Sequence, residues 1–79
     1  MAHISLLGCG TWGSTLAQVL GQNGHTVTAW HYKAEVVDEM ARSRMHPNIQ
    51  DFEFHSNIIF KKEIQTCIKG SNCIVVAVP

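Results

Sequence analysis

A short segment near the start of the chain, residues 8–13, reads G-C-G-T-W-G and fits the pattern G-x-G-x-x-G. An apolar run leads directly into it and a helical pattern follows directly, which is the context in which this pattern binds a dinucleotide. Gly8 would make the tight turn, Gly10 would let the backbone approach the pyrophosphate, and Gly13 would let the helix pack close to the strand. Free N–H groups at the helix start would bind the phosphates without a lysine. A glycine-rich turn that binds nothing is the alternative.

Three further residues of this motif have side chains that could act in the site. Thr11 can cap free N–H groups or donate its hydroxyl to a phosphate. Trp12 begins an apolar spacing that continues at residues 16, 19 and 20, which favours a core residue, with contact to a ligand as the alternative. Cys9 lies near a helix N-terminus, where the pKa of a thiol can fall. We interpret Cys9 as a small residue that fills the loop, because hydride transfer needs no protein nucleophile.

The end of the predicted second strand bears on which dinucleotide would bind. A carboxylate about 20 residues beyond the glycines would hydrogen-bond the ribose 2′-hydroxyl and select NAD. That register falls at Lys33, and no Asp or Glu occurs between Gly13 and Glu35. The sequence therefore favours NADP, or either cofactor, over strict NAD. Lys33 and His31 are candidate phosphate partners and Tyr32 could pack on adenine, with solvated loop residues as the alternative.

These residues are positioned by an alternation of strand and helix patterns. Apolar and β-branched runs predict strands at residues 3–7, 26–30, 57–60 and 73–78. Helical spacing and glycine stops predict helices at residues 12–22, 34–45 and 63–69. Residues 47–56 are predicted to be a loop. In the second helix we expect Asp38 and Arg42 to pair, opposite an apolar stripe formed by Val36, Val37, Met40, Ala41 and Met45.

Short connections between alternating strands and helices require parallel pairing through right-handed crossovers. By analogy with the α/β class, we expect the N-terminal half of a Rossmann-type, doubly wound parallel sheet with the strand order 3-2-1-4. The continuously apolar strand 73–78 is expected to be buried on both faces. In this order it is also a sheet edge, which natural proteins normally cover. We therefore interpret residues 1–79 as a partial, truncated binding domain.

The composition excludes several other classes of protein. The 79 residues are 46% hydrophobic and carry six basic and six acidic residues, which argues against a nucleic-acid binder or a polybasic membrane anchor. The longest apolar run, 73–78, is far shorter than the roughly 20 residues of a membrane span, and no signal peptide is recognisable. Three unpaired cysteines indicate reduced thiols and a cytoplasmic location. The five histidines show no metal-ligand spacing, so no metal site is predicted.

Longer segments of the chain resemble a known family. Residues 7–17, LGCGTWGSTLA, are followed by Asn23-Gly24-His25-Thr26-Val27 and by Trp30. This series resembles the N-terminus of the NAD(P)-dependent glycerol-3-phosphate dehydrogenases of the bacterial and organellar type. His46-Pro47-Asn48 and the terminal V-A-V-P of residues 76–79 also lie where that family has comparable residues. The resemblance covers essentially the whole chain but only the first quarter of a typical member.

The resemblance implies roles for individual residues. Thr11 and Trp12 match positions that contact the phosphates and ribose of NADPH, which changes the interpretation of Trp12 from core residue to cofactor contact. Tyr32 stands where the family commonly has Arg or His against the adenosine ribose phosphate. Lys33, where the family often has Asp, is placed to compensate for that departure. The choice between NAD and NADP therefore stays open.

The resemblance also implies an activity for a larger protein. It would be an oxidoreductase that interconverts dihydroxyacetone phosphate and glycerol 3-phosphate with NAD(P)H, in the supply of phospholipid precursors, and it would act as a cytoplasmic homodimer. The catalytic lysines and the helical substrate domain are expected beyond Pro79, so no catalytic residue is assigned and the 79 residues alone should not turn over substrate. Another two-domain dehydrogenase, such as a ketopantoate reductase, hydroxyacyl-CoA or 6-phosphogluconate dehydrogenase, is one alternative, which Trp12 disfavours. A non-catalytic nucleotide-binding module is the other.

Overall fold

The computed structural model describes residues 2–77, which form an alternating series of strands and helices. The strands are β1 (His3–Leu7), β2 (Thr26–Trp30), β3 (Ile58–Lys61) and β4 (Cys73–Val76). The helices are α1 (Thr11–Gln22), α2 (Ala34–Ser43) and α3 (Ile64–Ile68). Every strand and helix that the sequence predicts is present, with bounds that agree or differ by one or two residues where they can be compared. Val78, the predicted last residue of β4, and Pro79 lie outside the described residues.

The four strands form one parallel sheet with the order β3-β2-β1-β4, as predicted. The register places Leu7 of β1 opposite Trp30 of β2 and Val76 of β4. Trp30 in turn lies opposite Lys61 of β3. The carboxyl ends of all four strands therefore meet at one edge of the sheet, which is where ligands bind in open α/β sheets.

The helices cover the two faces of this sheet in the doubly wound manner. On one face, alternate residues of β1, β2 and β3 pack with α1 and α2 in a core made of Leu6, Ala17, Val27, Ala29, Met40, Phe54 and Ile58. On the other face α3 is held by hydrogen bonds. The Ser5 hydroxyl donates to the Cys67 carbonyl at 2.7 Å, and the Cys67 thiol donates to the Thr28 carbonyl at 3.3 Å. The predicted Rossmann-type α/β class is thus confirmed.

Only part of the apolar spacing predicted for α1 packs against the core, where Leu16 and Leu20 are partly buried. The buried residues of α1 are all small: Gly13, Ser14, Ala17 and Gly21. Trp12 is 68% exposed and Val19 47% exposed, so the interpretation of Trp12 as a core residue is wrong. A Cβ atom at Gly13 would lie 2.0 Å from the Gly8 carbonyl oxygen. Helix α1 therefore approaches the Gly8 backbone too closely for large side chains, and small residues occupy this contact.

Several details of α2 also differ from the predictions. Helix α2 ends at Ser43 rather than Met45, because Arg44 adopts a left-handed conformation with φ 61°. The predicted ion pair between Asp38 and Arg42 is absent: Arg42 pairs with Glu39, and Asp38 pairs with Lys62. In the apolar stripe of α2, Val37 and Met40 are buried, whereas Ala41 and Met45 are exposed.

Strand β4 lies at the edge of the sheet, as its predicted order requires. The expectation that it is buried on both faces is wrong in the part that the structure describes. Ile74 is 49% exposed and Val76 65% exposed, because the five-residue helix α3 packs over Ser5 and Thr28 instead.

The segment after α2 has little regular structure, as predicted, but side chains tether it firmly. The Gln18 amide donates to the Glu53 carbonyl and accepts from the His55 N–H, both at 2.8 Å. The Arg44 guanidinium donates to the His55 carbonyl at 2.6 Å. Phe54 is only 3% exposed and completes the core. His46 lies in this segment, and its buried ring lies beside the Cys9 backbone of the glycine motif.

Candidate functional site

The glycine motif forms a tight turn between β1 and α1 at the carboxyl edge of the sheet. Gly8 has φ 105°, a backbone conformation that only glycine adopts without strain. The N–H groups of Gly8 and Cys9 both donate to the Trp30 carbonyl, at 2.9 and 3.1 Å. These bonds tie the turn to the end of β2, so the two predicted halves of the site lie side by side.

Two glycines of the motif are required for different physical reasons. A side chain at Gly13 would collide with backbone, since its Cβ would lie 2.0 Å from the Gly8 oxygen. This confirms the predicted close packing of helix on strand. A Cβ at Gly10 would meet nothing within 4 Å, and its φ of −80° suits any residue. Nothing in the described protein therefore requires glycine at position 10, and the open space beside it fits an approaching ligand.

The start of α1 presents unsatisfied donors to that open space. The first helical hydrogen bond runs from the Ser14 N–H to the Gly10 carbonyl at 2.8 Å, and no side chain caps the helix. Within residues 2–77, the N–H groups of Thr11, Trp12 and Gly13 have no acceptor. Unpaired N–H groups and the positive end of the helix dipole together attract an anion. The chemistry of this donor set fits a phosphate or pyrophosphate.

Thr11 and Trp12 flank these donors, and both side chains are exposed. The Trp12 indole projects beside the turn with two thirds of its surface open to solvent. An exposed aromatic ring next to an anion site offers a flat surface for a sugar or base. The structure thus leaves Trp12 free to contact a ligand, and the specific roles predicted for Thr11 and Trp12 stay predictions.

The interior side of the turn is buried and polar. The Cys9 thiol lies 3.1 Å from the Ser14 hydroxyl, which also donates to the Cys9 carbonyl at 3.3 Å. Burial raises the pKa of the Cys9 thiol to about 11, against the smaller effect of its bond to Ser14. Burial therefore opposes the fall in this pKa that the helix start could have produced. Cys9 fills the loop as an unreactive thiol, as we interpreted it from the sequence.

The residues that follow β2 form a compact cluster next to the turn. The rings of His31 and Tyr32 stack with centroids 4.8 Å apart, and the Lys33 ammonium lies 5.6 Å from the Tyr32 ring centroid. The His31 Nδ1 accepts from the Lys33 N–H at 3.0 Å. Burial, followed by the nearby His46 and Lys33 charges, lowers the pKa of His31. The three predicted residues are thus brought together, and the Glu35 carboxylate is near enough to oppose this lowering of the His31 pKa.

A residue that sequence reasoning did not assign to the site, His46, lies under the glycine turn. Its side chain is buried, with 5% of the residue exposed, although it lies between the predicted second helix and the predicted loop. The Nδ1 atom accepts from the Asn48 N–H at 3.0 Å, while Nε2 is buried without a partner in the described part of the chain. Burial lowers the pKa of His46, and the Cys9 backbone facing the ring opposes that shift. The only sequence signal was the triplet His46-Pro47-Asn48.

Residues 2–77 lack two classes of feature, a metal site and a membrane span. No group of three or more His, Cys, Asp or Glu residues lies where it could hold a metal ion. None of the helices in this range has both the length and the apolar character needed to cross a bilayer.

Comparison with known proteins relates this geometry to a family. The family described as "NAD-dependent glycerol-3-phosphate dehydrogenase N-terminus" matches residues 3–79. This chain belongs to that family. The resemblance carried by the glycine motif and Asn23-Gly24-His25 is thereby confirmed, and the match favours this family over the other two-domain dehydrogenases with similar motifs.

Individual members and a solved structure agree with this assignment. The chain is 40% identical over 79 residues to glycerol-3-phosphate dehydrogenase (NAD(P)+) 2 of Lactobacillus delbrueckii subsp. bulgaricus, covering 100% of this chain and 23% of that protein. It is 37% identical over 82 residues to the glycerol-3-phosphate dehydrogenase (NAD(P)+) of Bacillus velezensis, again covering 100% and 23%. The crystal structure of glycerol-3-phosphate dehydrogenase from Coxiella burnetii superposes with a TM-score of 0.93 at 29% identity, covering 99% of this chain and 24% of that one.

The chain therefore spans about a quarter of the length of the dehydrogenases that it matches. The matched part is the N-terminal region of the family. In this region the sheet edge, the glycine turn and the cluster after β2 form one continuous surface, and the open Gly10 position lies within it.

Proposed function

We propose that this chain binds a dinucleotide, NADP or NAD, across the carboxyl edge of its sheet. The pyrophosphate would lie against the N–H groups of residues 10–13, whose donors have no acceptor in the described part of the chain. The observation that carries this proposal is the contrast between two glycines: a Cβ at Gly13 is blocked by protein, whereas a Cβ at Gly10 points into open space. Glycine at position 10 is explained by a ligand that approaches the backbone there.

The remaining predicted contacts follow from this placement. The Thr11 hydroxyl would donate to a phosphate, and the Trp12 indole would cover the ribose beside it. At the end of β2, Tyr32 would face the adenosine half of the cofactor and the Lys33 ammonium would pair with a ribose 2′-phosphate. Because Lys33 lies over the Tyr32 ring and no Asp or Glu precedes Glu35 after Gly13, the site accepts NADP and NAD, with NADP bound more tightly.

We further propose that the chain forms the cofactor-binding part of a glycerol-3-phosphate dehydrogenase. When bound, the nicotinamide cofactor supplies the hydride that interconverts dihydroxyacetone phosphate and glycerol 3-phosphate. The contribution of these residues is to hold the pyrophosphate and to orient the adenosine half. No catalytic residue is assigned among them, so the 79 residues alone are expected to bind cofactor without turnover. Catalysis would require a helical substrate domain outside residues 1–79.

The finer parts of this proposal rest on the family alone. They are a small phosphorylated substrate, a role in supplying phospholipid precursors, a cytoplasmic location and a homodimer of the full-length enzyme. A gel-filtration mass and an activity assay with dihydroxyacetone phosphate, both on the full-length protein, test the dimer and the substrate.

The cofactor site is tested by titrating the chain with NADP+ and NAD+ in a calorimeter. We expect Gly10→Val to abolish the binding heat, because its side chain fills the space reserved for the pyrophosphate while meeting no protein atom at Cβ. Gln22→Val at the opposite, exposed end of α1 is the matched control and should bind as the unmodified chain does. Equal heats for the unmodified chain and Gly10→Val would refute the site.

A further inference from the structure

The Cys9–Gly10 peptide bond of the glycine turn is held from the interior of the protein. On its N-terminal side, the Cys9 N–H donates to the Trp30 carbonyl at 3.1 Å. Its carbonyl, the Cys9 oxygen, accepts from the Ser14 hydroxyl at 3.3 Å and faces the buried His46 ring. Both of these side chains are buried, Ser14 completely and His46 with 5% exposed.

This arrangement decides where the next N–H group points. The Cys9–Gly10 peptide is trans, and in a trans peptide the carbonyl and the following N–H point in opposite directions. A Cys9 carbonyl turned into the protein therefore turns the Gly10 N–H outward. The outward side is the open space in which a Cβ at Gly10 would meet nothing.

The protonation of His46 makes its ring a suitable donor to this carbonyl. Because Nδ1 accepts from the Asn48 N–H, the proton of the neutral ring lies on Nε2. That Nε2–H is buried and has no acceptor within residues 2–77. A buried donor without a partner is unusual in proteins and calls for a physical explanation. The Cys9 backbone lies beside this ring, and its carbonyl is the acceptor available to Nε2.

We propose that His46, together with Ser14, orients the Cys9–Gly10 peptide so that the Gly10 N–H is presented to the pyrophosphate. The inference rests on the proposed dinucleotide site and adds a positioning residue to it. His46 would not touch the cofactor. It would act through the Cys9 carbonyl, from a segment that is distant in sequence and that Gln18 and Arg44 hold in place.

The test compares His46→Leu, which removes the donor but keeps an apolar side chain, with His46→Gln, whose amide restores a donor. The matched control is His55→Leu. The His55 Nδ1 accepts from the Asn57 N–H at 3.1 Å, the same local bond that His46 makes to Asn48, but His55 lies against Gly21 at the far end of α1. For each variant the Kd for NADP+ is measured, together with the shift of the Gly10 and Lys33 amide NMR signals at saturating NADP+.

We expect His46→Leu to weaken NADP+ binding about tenfold, which corresponds to the loss of one well-placed hydrogen bond. The ligand-induced shift of the Gly10 amide should shrink while that of Lys33 is kept. His46→Gln should recover most of the affinity and the Gly10 shift, and His55→Leu should match the unmodified chain. A purely structural role for His46 would reduce both shifts together and would overturn the inference.

The remaining outcomes are equally decisive. If the unmodified chain binds NADP+ and His46→Leu binds it equally well, the positioning role falls while the dinucleotide site stands. If the unmodified chain does not bind NADP+, the proposed function and this inference both fall. If His46→Leu does not fold, Ser14→Ala must show the same selective loss at Gly10. An unchanged Gly10 shift in that variant overturns the proposal.

Discussion

Gly13 is the residue at which helix α1 approaches the glycine turn most closely, and Gly13→Ala is the sharpest test of that packing. The added Cβ would lie 2.0 Å from the Gly8 oxygen and 3.1 Å from its carbonyl carbon. Ordinary contact begins near 3.4 Å, so α1 would have to move by more than 1 Å relative to backbone that is itself tied to Trp30. Overpacking of this kind costs about 1–3 kcal/mol.

The expected loss for Gly13→Ala follows from two opposing contributions. Alanine gains up to about 1 kcal/mol over glycine inside a helix, and the clash with rigid backbone exceeds that gain. We expect a net loss of about 2 kcal/mol in the free energy of unfolding, out of the roughly 3–5 kcal/mol available to a domain of this size. With a urea m-value near 1 kcal/mol/M, the midpoint followed by tryptophan fluorescence should fall by about 2 M.

Gly21→Ala on the same helix is the matched control. Its Cβ would lie 3.3 Å from the His55 Cβ and 3.4 Å from the Ile58 Cγ1, contacts that need only a small adjustment of side chains. The gain in helix propensity should offset that adjustment, leaving the urea midpoint within about 0.5 M of the unmodified chain. Equal midpoints for Gly13→Ala and Gly21→Ala would refute the argument that backbone contact dictates glycine at position 13.

Three further predictions concern the charge and reactivity of the site. Tyr32→Asp should shift the ratio of NAD+ to NADP+ affinity at least about tenfold toward NAD+, because a carboxylate repels a 2′-phosphate; an unchanged ratio would show that position 32 does not face the ribose. Burial lowers the folded-state pKa of His46 and of His31. The unfolded chain therefore binds more protons at low pH. The contribution of these two histidines to the free energy of unfolding is complete above about pH 6.5 and falls as the pH is lowered further. Melting temperatures at pH 7.5 and 5.5 measure this, and His46→Gln should show a smaller difference than the unmodified chain. Iodoacetamide at pH 8 should alkylate exposed Cys73 well before Cys9, whose buried thiol has a pKa of about 11; mass spectrometry showing equal rates would contradict the closed turn.

The sequence alone determined the order and type of the strands and helices, because these depend on neighbours along the chain. Gly-x-Gly-x-x-Gly placed between a strand and a helix was sufficient to locate the turn, and the absence of Asp or Glu between Gly13 and Glu35 described the charge at the end of β2. The resemblance of the same residues to a known family implied a cofactor and an activity. The contacts predicted for Thr11, Trp12, Tyr32 and Lys33 stay predictions, since they depend on a bound ligand.

Only the tertiary structure decided which side of α1 is buried and what supports the turn from below. In the apolar spacing that begins at Trp12, Leu16 and Leu20 pack against the core but Trp12 and Val19 are exposed. The helix approaches Gly8 so closely that only small residues fit between them. His46 is 37 residues from Cys9 along the chain, yet its buried ring faces the Cys9 backbone. Local sequence patterns predict neither the buried side of α1 nor the position of the His46 ring, because both depend on segments that meet only when the chain has folded.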